Sequence, residues 1–553
     1  MDVAKVRARF SSLQRGFVFL DAPGGTQVPD EVGHAASQNF KEASGNIGFP
    51  YETSRRAGAV VDDARTAAAR FLGCSAEEVI FGPNMTSLNF MLTRTVGRTL
   101  QAGDEIVTTR LDHDGNVAPW LELARDLDLV VRQVDIHPNT TLDYDDLARL
   151  LNGRTRVVSF PWASNAVGTT VDAARVCALA HEAGALAWID AVQYAPHEPI
   201  DVRAIGADVL LCSSYKFCGP HLGIAYGRQD LLESWCPYKA RPVGLQPVGH
   251  RFETGTLPYE LLACLVATFS YLDSLGGIGE ISAWEHELGQ RLLDGLPSEA
   301  RLYGSPTMEG RIPTFLLNFD GVPSSKLSVG FAERGFGVWS GDNYYALGLY
   351  ERLNWGEALR VGLSHYNTIE EIDRFNEVLV DLVANSRAHH EAGAPRNQLS
   401  PGERFPVESL AGAIGSDHPA LKGPVVVYFY PKDGTETCTR EAAAFEGHLD
   451  RFHQLGISVV GVSTDTAESH QSFASNEGLR FALVSDAAGV LSREVGVMRD
   501  FAEYGELAGR VTFLLDEDGV VRQVWDVDDV VGHPDEILAA ALVLGLGPSE
   551  QTG

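Results

Sequence analysis

Leu210-Leu211-Cys212-Ser213-Ser214-Tyr215-Lys216-Phe217-Cys218-Gly219-Pro220 runs from an apolar, strand-like stretch into a glycine–proline turn and places one lysine at the break. Upstream, Ala185-Leu186-Ala187-Trp188-Ile189-Asp190 has the same form, ends on a carboxylate and is followed by Gln193. An acid that closes one strand and a lysine just past the next meet at one edge of a parallel sheet. A lysine alone is ordinarily a solvated surface group, so the pair carries the reading. Pyridoxal phosphate (PLP) needs both groups. Its aldehyde takes a lysine amine as a Schiff base, and a carboxylate keeps its pyridine nitrogen protonated so that electrons from a substrate carbanion drain into the ring.

Further segments line up around this pair. Phe81-Gly82-Pro83-Asn84-Met85-Thr86-Ser87 leads from a strand-like run into a helical pattern, where backbone N–H groups and the Thr86 hydroxyl suit a phosphate; the alternative is an ordinary loop with an N-cap threonine. Asp112-His113-Asp114-Gly115-Asn116 (with Trp120 beyond it), Ser164-Asn165-Ala166-Val167-Gly168, Arg251-Phe252-Glu253-Thr254-Gly255-Thr256 and Leu359-Arg360-Val361-Gly362-Leu363 follow at intervals. In this order, over roughly residues 15 to 385, the chain resembles class V aminotransferases of the cysteine desulfurase type.

The resemblance implies a PLP-dependent transferase of fold type I, an α/β fold with a mixed, mostly parallel sheet wrapped by helices and a small lobe. It implies that Lys216 is catalytic and forms the Schiff base, and that Asp190 meets the pyridine nitrogen. His113 stacks on the ring, Asn165 lies near ring and substrate, and Gln193 reaches the phenolic oxygen. Met85, Thr86, Ser213 and Tyr215 surround the phosphate, Thr256 reaches the phosphate of a neighbouring subunit in a homodimer, and Arg360 grips the substrate carboxylate, which its guanidinium fork suits.

Two departures bear on function. Tyr215 stands where these relatives often carry a histidine, so one phosphate contact must be remade. Val338-Trp339-Ser340-Gly341-Asp342-Asn343-Tyr344-Tyr345 occupies the loop of the persulfide-forming cysteine and contains none. A tyrosine cannot accept sulfur as a persulfide, so conversion of cysteine to alanine with sulfur held on this loop is not expected. The opening Leu20-Asp21-Ala22-Pro23-Gly24-Gly25-Thr26-Gln27-Val28-Pro29 is similar to a desulfurase-like branch of unassigned activity.

A second pattern begins after residue 400. The apolar run Val425 to Tyr430 precedes Pro431-Lys432-Asp433-Gly434-Thr435-Glu436-Thr437-Cys438, a Pro-x-x-x-Thr-x-x-Cys arrangement, and Gly509-Arg510-Val511-Thr512 follows far downstream. A buried lone cysteine is usually an inert small hydrophobe. In this setting the segment from 400 to 546 resembles a peroxiredoxin of the bacterioferritin-comigratory type, with a thioredoxin-like α/β fold. The resemblance implies that Cys438 is the peroxidatic thiol at a helix start, that Thr435 orients the peroxide, and that Arg510 lowers the thiol pKa. Five positions on, where many relatives have a resolving cysteine, stands Ala443, and the chain has no other cysteine past Cys264.

The chain of 553 residues is too long for one core, which divides it into a PLP domain over 1–385, a polar linker over 386–403 and a peroxiredoxin-like domain over 404–553. The small lobe of the first takes the N-terminal residues and about 285–385. The net charge of −30 excludes the basic footprint that nucleic acid or an anionic membrane requires. The N-terminus lacks a signal-peptide core, and seven cysteines show neither metal-ligand spacing nor a secreted disulfide framework, so we expect no metal and a cytoplasmic protein. Cys212 and Cys218, beside Lys216, read as packing residues.

The expected function is a bifunctional sulfur enzyme: a PLP lyase cleaving the carbon–sulfur bond of cysteine or a cysteine S-conjugate, fused to a one-cysteine thiol peroxidase recycled by an external thiol. A PLP epimerase, transaminase or atypical desulfurase with a protective peroxiredoxin is one alternative. A redox sensor or scaffold with only Cys438 active is another.

Overall fold

Val209–Ser213 lies inside a seven-stranded sheet whose strands, from one edge to the other, are Val79–Gly82, Gly223–Gly227, Val209–Ser213, Leu186–Asp190, Thr155–Pro161, Glu105–Thr109 and Val130–Val134. In this computed structural model all run parallel except Gly223–Gly227, which is antiparallel to both neighbours. The structure describes residues 1–241, 244–392, 398–414, 418, 422–501, 505–527 and 529–546.

The central strands are apolar on both faces because helices cover both, so their sequences read as continuous runs without alternation. One face presents Phe81, Phe160, Ile189 and Leu210 to its core, the other Ile80, Trp188 and Leu211, with Trp120 of the helix Asp114–Leu127 packed among them. Trp120 therefore belongs to the core, edge-on to Trp188 with ring centroids 5.1 Å apart. Cys212 and Cys218 are buried there too. Pairing sets the site directly: Asp190 stands opposite Leu211 in the parallel ladder, so the acid at one strand end and the turn carrying Lys216 emerge at the same sheet edge.

The small lobe is an antiparallel sheet of Trp339–Gly341, Ala358–Gly362, Thr314–Asn318 and Arg301–Tyr303, in that order, backed by helices Ile278–Asp294, Ser324–Glu333 and Ile369–Ala392. The N-terminal Val18–Phe19 joins it by pairing with Phe336–Gly337, and Asp21 bridges to Gly362. A buried relay of His197, Glu285, His365 and Tyr271 ties this lobe to the large one.

The chain divides into two compact units, Met1–Arg387 and Ala388–Gly553. The linker expected from residue 386 begins later, because the helix that starts at Ile369 runs on to Ala392. Ser386 to Ala392 is polar but rich in helix formers, and polarity alone does not end a helix; Gly393 and Pro395 come afterwards. Residues 393–397 of that linker lie outside the described residues, as do 547–553 of the second domain.

The second unit is a five-stranded thioredoxin-like sheet in the order Ala482–Ser485, Ser458–Ser463, Val425–Phe429, Val511–Leu515, Val521–Asp526. The first three strands are parallel, and Val511–Leu515 runs antiparallel to both of its neighbours. Helices Glu436–Gln454 and His533–Val543 cover one face, where Tyr428, Phe445, Cys438 and Ile537 are buried together.

Candidate active sites

Ten of the residues singled out in the PLP domain, Met85, Thr86, His113, Asn165, Asp190, Gln193, Ser213, Tyr215, Lys216 and Arg360, line one cavity of about 950 Å³. Thr256 does not; it is exposed and outside that cavity.

Lys216 sits in a short 3₁₀ turn directly after the Val209–Ser213 strand and is buried, its amine donating to the Pro23 carbonyl. Burial, reinforced by the Arg360 cation and opposed by Asp21 and Asp190, lowers its pKa to about 7. The amine thus loses its proton within the neutral range, far below an ordinary lysine. Attachment of PLP to the apo-protein is accordingly expected to quicken as pH rises through about 7 and to level off above it. A pH series of cofactor absorbance checks this, and a midpoint near the ordinary lysine value would place the amine in water.

Asp190 is buried and accepts a hydrogen bond from the Val192 N–H at 2.8 Å. Burial raises its pKa to about 6 against that bond and the Lys216 charge, and a protonated nitrogen brought alongside would favour the ionised carboxylate. His113 caps the helix Asp114–Leu127 by accepting from the Gly115 N–H at 2.9 Å through Nδ1. Burial, with Lys216 and Arg360 adding to it, pushes the imidazole down to about 4, so it presents a neutral face.

The phosphate end is formed by the helix Met85–Gly97, whose N-cap is Asn84 rather than Thr86: the Asn84 side chain accepts from the Ser87 N–H. The Met85 N–H donates to the Ser213 hydroxyl at 3.0 Å, joining helix start to strand end. This junction requires Gly223, since a Cβ there would lie 2.4 Å from the Asn84 carbonyl carbon. Tyr215, in place of the histidine, stacks on His221 at 4.8 Å and 17°, and His221 lines the same cavity. His221 escaped the sequence reading because nothing in its spacing marks it.

At the substrate end Arg360 pairs with Asp21 at 2.9 Å and lies against the rings of Tyr344 and Trp339. Gln193 donates to the Pro23 carbonyl at 3.1 Å and Asn165 to the Tyr344 carbonyl at 2.7 Å. Asn165 Oδ1 and Arg360 Nε are buried without hydrogen-bond partners. An open buried acceptor and donor in one cavity fit a polar ligand, and with the buried amine and acid the donor set fits PLP plus an amino acid.

In the second unit Thr435 is the N-cap residue of the helix Glu436–Gln454, its hydroxyl donating to the Lys432 carbonyl at 3.1 Å. Cys438 falls in the first turn of that helix, where unpaired N–H groups and the dipole favour an anion. It is buried, and Arg510 Nη2 lies 3.3 Å from its sulfur. Arg510 also pairs with the buried Glu441, whose carboxyl is raised to about 7 by burial in spite of that cation. The loop before the helix is pinned through Asp433, which accepts from Tyr430, Ser469 and His470. Sequence reasoning missed Glu441 and Asp433, because each acts through a partner distant in the chain.

Residues 18–375 match the model of the family described as aminotransferase class-V, and residues 408–524 match that of the AhpC/TSA family. The chain is 30% identical over 400 residues to the probable cysteine desulfurase 2 of Mycobacterium leprae (strain TN), covering 68% of this chain and 95% of that protein. Among solved structures it is similar to the apo cysteine desulfurase of Thermococcus onnurineus NA1, with a TM-score of 0.66 and 25% identity over 69% of this chain and 98% of that one. The cysteine desulfurase CsdA of Escherichia coli gives a TM-score of 0.64 and 26% identity, over 70% and 99%.

Proposed function

Since the chain belongs to the class V aminotransferase family, as a cysteine desulfurase-like PLP enzyme joined to an AhpC/TSA domain, we propose that its first unit is a carbon–sulfur lyase for cysteine or a cysteine S-conjugate. We propose that its second is a one-cysteine thiol peroxidase. The observation that carries the lyase reading is the loop over the substrate end of the cavity, Trp339 to Tyr345, which brings Trp339, Asp342 and two tyrosines to the site and no thiol.

Bound in this cavity, PLP would supply an electron sink for the carbanion at the substrate's α-carbon. Arg360 orients the substrate carboxylate, exchanging Asp21 for it, and offers the unpartnered Nε–H. Lys216, whose amine burial brings down to a pKa of about 7, takes the α-proton. Asp190 holds the proton of the pyridine nitrogen, and Ser213 with the Met85–Thr86 helix start takes the phosphate. The Cβ–S bond then breaks with its electrons on sulfur, and water takes up the three-carbon fragment. The sum is an S-substituted cysteine and water giving a thiol, pyruvate and ammonium. Exposure of Thr254 to Thr256 supports a role for that segment across a homodimer interface.

Product analysis tests the reaction. Pyruvate and ammonium in equal amounts with thiol support a lyase, whereas alanine with sulfane sulfur would make the chain a desulfurase. Arg360→Ala is expected to raise KM for carboxylate-bearing substrates about 10- to 100-fold, as a charged bidentate contact is lost and Asp21 is left facing the substrate's own carboxylate. Steady-state kinetics check this, and an unchanged KM removes Arg360 from the binding role.

A further inference from the structure

We propose that the cap over the substrate end is a specificity device, and that Trp339 and Tyr345 select a cysteine conjugate carrying a flat, uncharged apolar group on sulfur over cysteine itself. This rests on the carbon–sulfur lyase reading for the reaction, and on the cap alone for the selection.

Two large aromatic side chains of one loop are left in solvent at this cavity: Trp339 is 53% exposed and Tyr345 69%. Apolar surface left wet around a site is surface a ligand can cover. Arg360, which would take the substrate carboxylate, lies against the Trp339 and Tyr344 rings, its guanidinium carbon 5.8 and 4.6 Å from their centroids. A bare thiol on such a ligand leaves the aromatic wall hydrated, whereas a ring on sulfur covers it. Once Arg360 has exchanged Asp21 for the substrate carboxylate, the nearby carboxylates of Asp21 and Asp342 disfavour an anionic substituent.

The wall is also held in place. Tyr344 and Tyr345 adopt consecutive left-handed conformations, φ 51° and 59°, which bulky residues take only when the surroundings fix them. Here the Tyr344 carbonyl accepts from Asn165 at 2.7 Å, the Tyr345 carbonyl from the Asp114 N–H at 2.6 Å, and the Tyr344 hydroxyl donates to the Ala358 carbonyl at 2.7 Å. That backbone turns the Tyr345 ring onto His113, with centroids 5.5 Å apart and planes 23° apart.

The test uses the holoenzyme and two carboxylates without an amine, S-benzylmercaptopropionate and S-methylmercaptopropionate, which bind the carboxylate and side-chain sites but cannot react with PLP. Calorimetry is expected to show the benzyl compound binding at least about tenfold tighter, the change that covering one small ring's apolar surface brings. In Trp339→Ala and Tyr345→Ala, both at exposed positions, the ratio is expected to fall below about threefold. Equal binding of the two compounds, or an unchanged ratio in both variants, overturns the proposal. Turnover separates it from the lyase reading. Tighter benzyl binding without pyruvate from S-benzylcysteine upholds the selection and removes the lyase, while pyruvate from S-methylcysteine with no benzyl preference does the reverse.

Discussion

Lys216→Ala is expected to lower amino-acid turnover by at least about three orders of magnitude, since the proposed mechanism makes one side chain both the attachment point of PLP and the base at the α-carbon. Peroxide reduction is expected to stay within about twofold of the parent, because Cys438, Thr435 and Arg510 lie in the other compact unit and draw their hydrogen-bond partners from it. Pyruvate formation and peroxide consumption measured on one preparation decide the matter. Equal loss of both in a folded variant defeats the modular arrangement.

Cys438→Ser is expected to abolish peroxidase activity, again by about three orders of magnitude or more, as a hydroxyl replaces the only thiol of its unit. The manner of recycling follows from the surroundings of the other thiols. Attack on peroxide leaves a sulfenic acid, which returns to thiol through a disulfide with a second sulfur. Cys74, Cys177 and Cys218 have thiols pushed up to about 12 by burial, and burial raises Cys212 and Cys264 as well, which makes all five poor nucleophiles. Cys236 alone of the six is exposed. After one equivalent of peroxide, intact-mass analysis of the full chain is therefore expected to show a mixed disulfide with added thiol, unchanged in Cys236→Ser. Rapid formation of an internal disulfide without added thiol would falsify one-cysteine behaviour.

The sequence shows the alternation of buried strands and helices plainly, because apolar runs such as Val157 to Phe160 admit few other readings. The ten cavity residues are legible too: most sit at or just past a strand end or at a helix start, whereas Arg360, in the middle of Ala358–Gly362 in the small lobe's sheet, is found only through the family resemblance. Contacts between distant side chains are a different matter. The Asp21–Arg360 pair joins positions more than 300 residues apart, which the pairing of Val18–Phe19 with Phe336–Gly337 and the bridge from Asp21 to Gly362 bring together. The left-handed turn at Tyr344 and Tyr345 carries no local signal, since that conformation favours glycine and asparagine. The end of the long helix at Ala392 was hidden for the opposite reason: its residues look like linker by polarity and like helix by propensity.

The pairing of Leu186–Asp190 with Val209–Ser213 bears on how the chain tolerates changes of length. Asp190 faces Leu211 in register, and a strand alternates sides with every residue. One codon inserted within Leu186–Asp190 would put Ile189 in the place of the carboxylate and turn Asp190 to the opposite face, and one within Val209–Ser213 would do the same to Cys212 and Ser213. One inserted at Arg203–Ala204, exposed in the connection between them, would leave both strands aligned. Length variation in descendants of this gene should therefore gather in that connection and spare the two strands, so that a fixed spacing within each strand, and not the overall distance from acid to lysine, is what inheritance has to preserve.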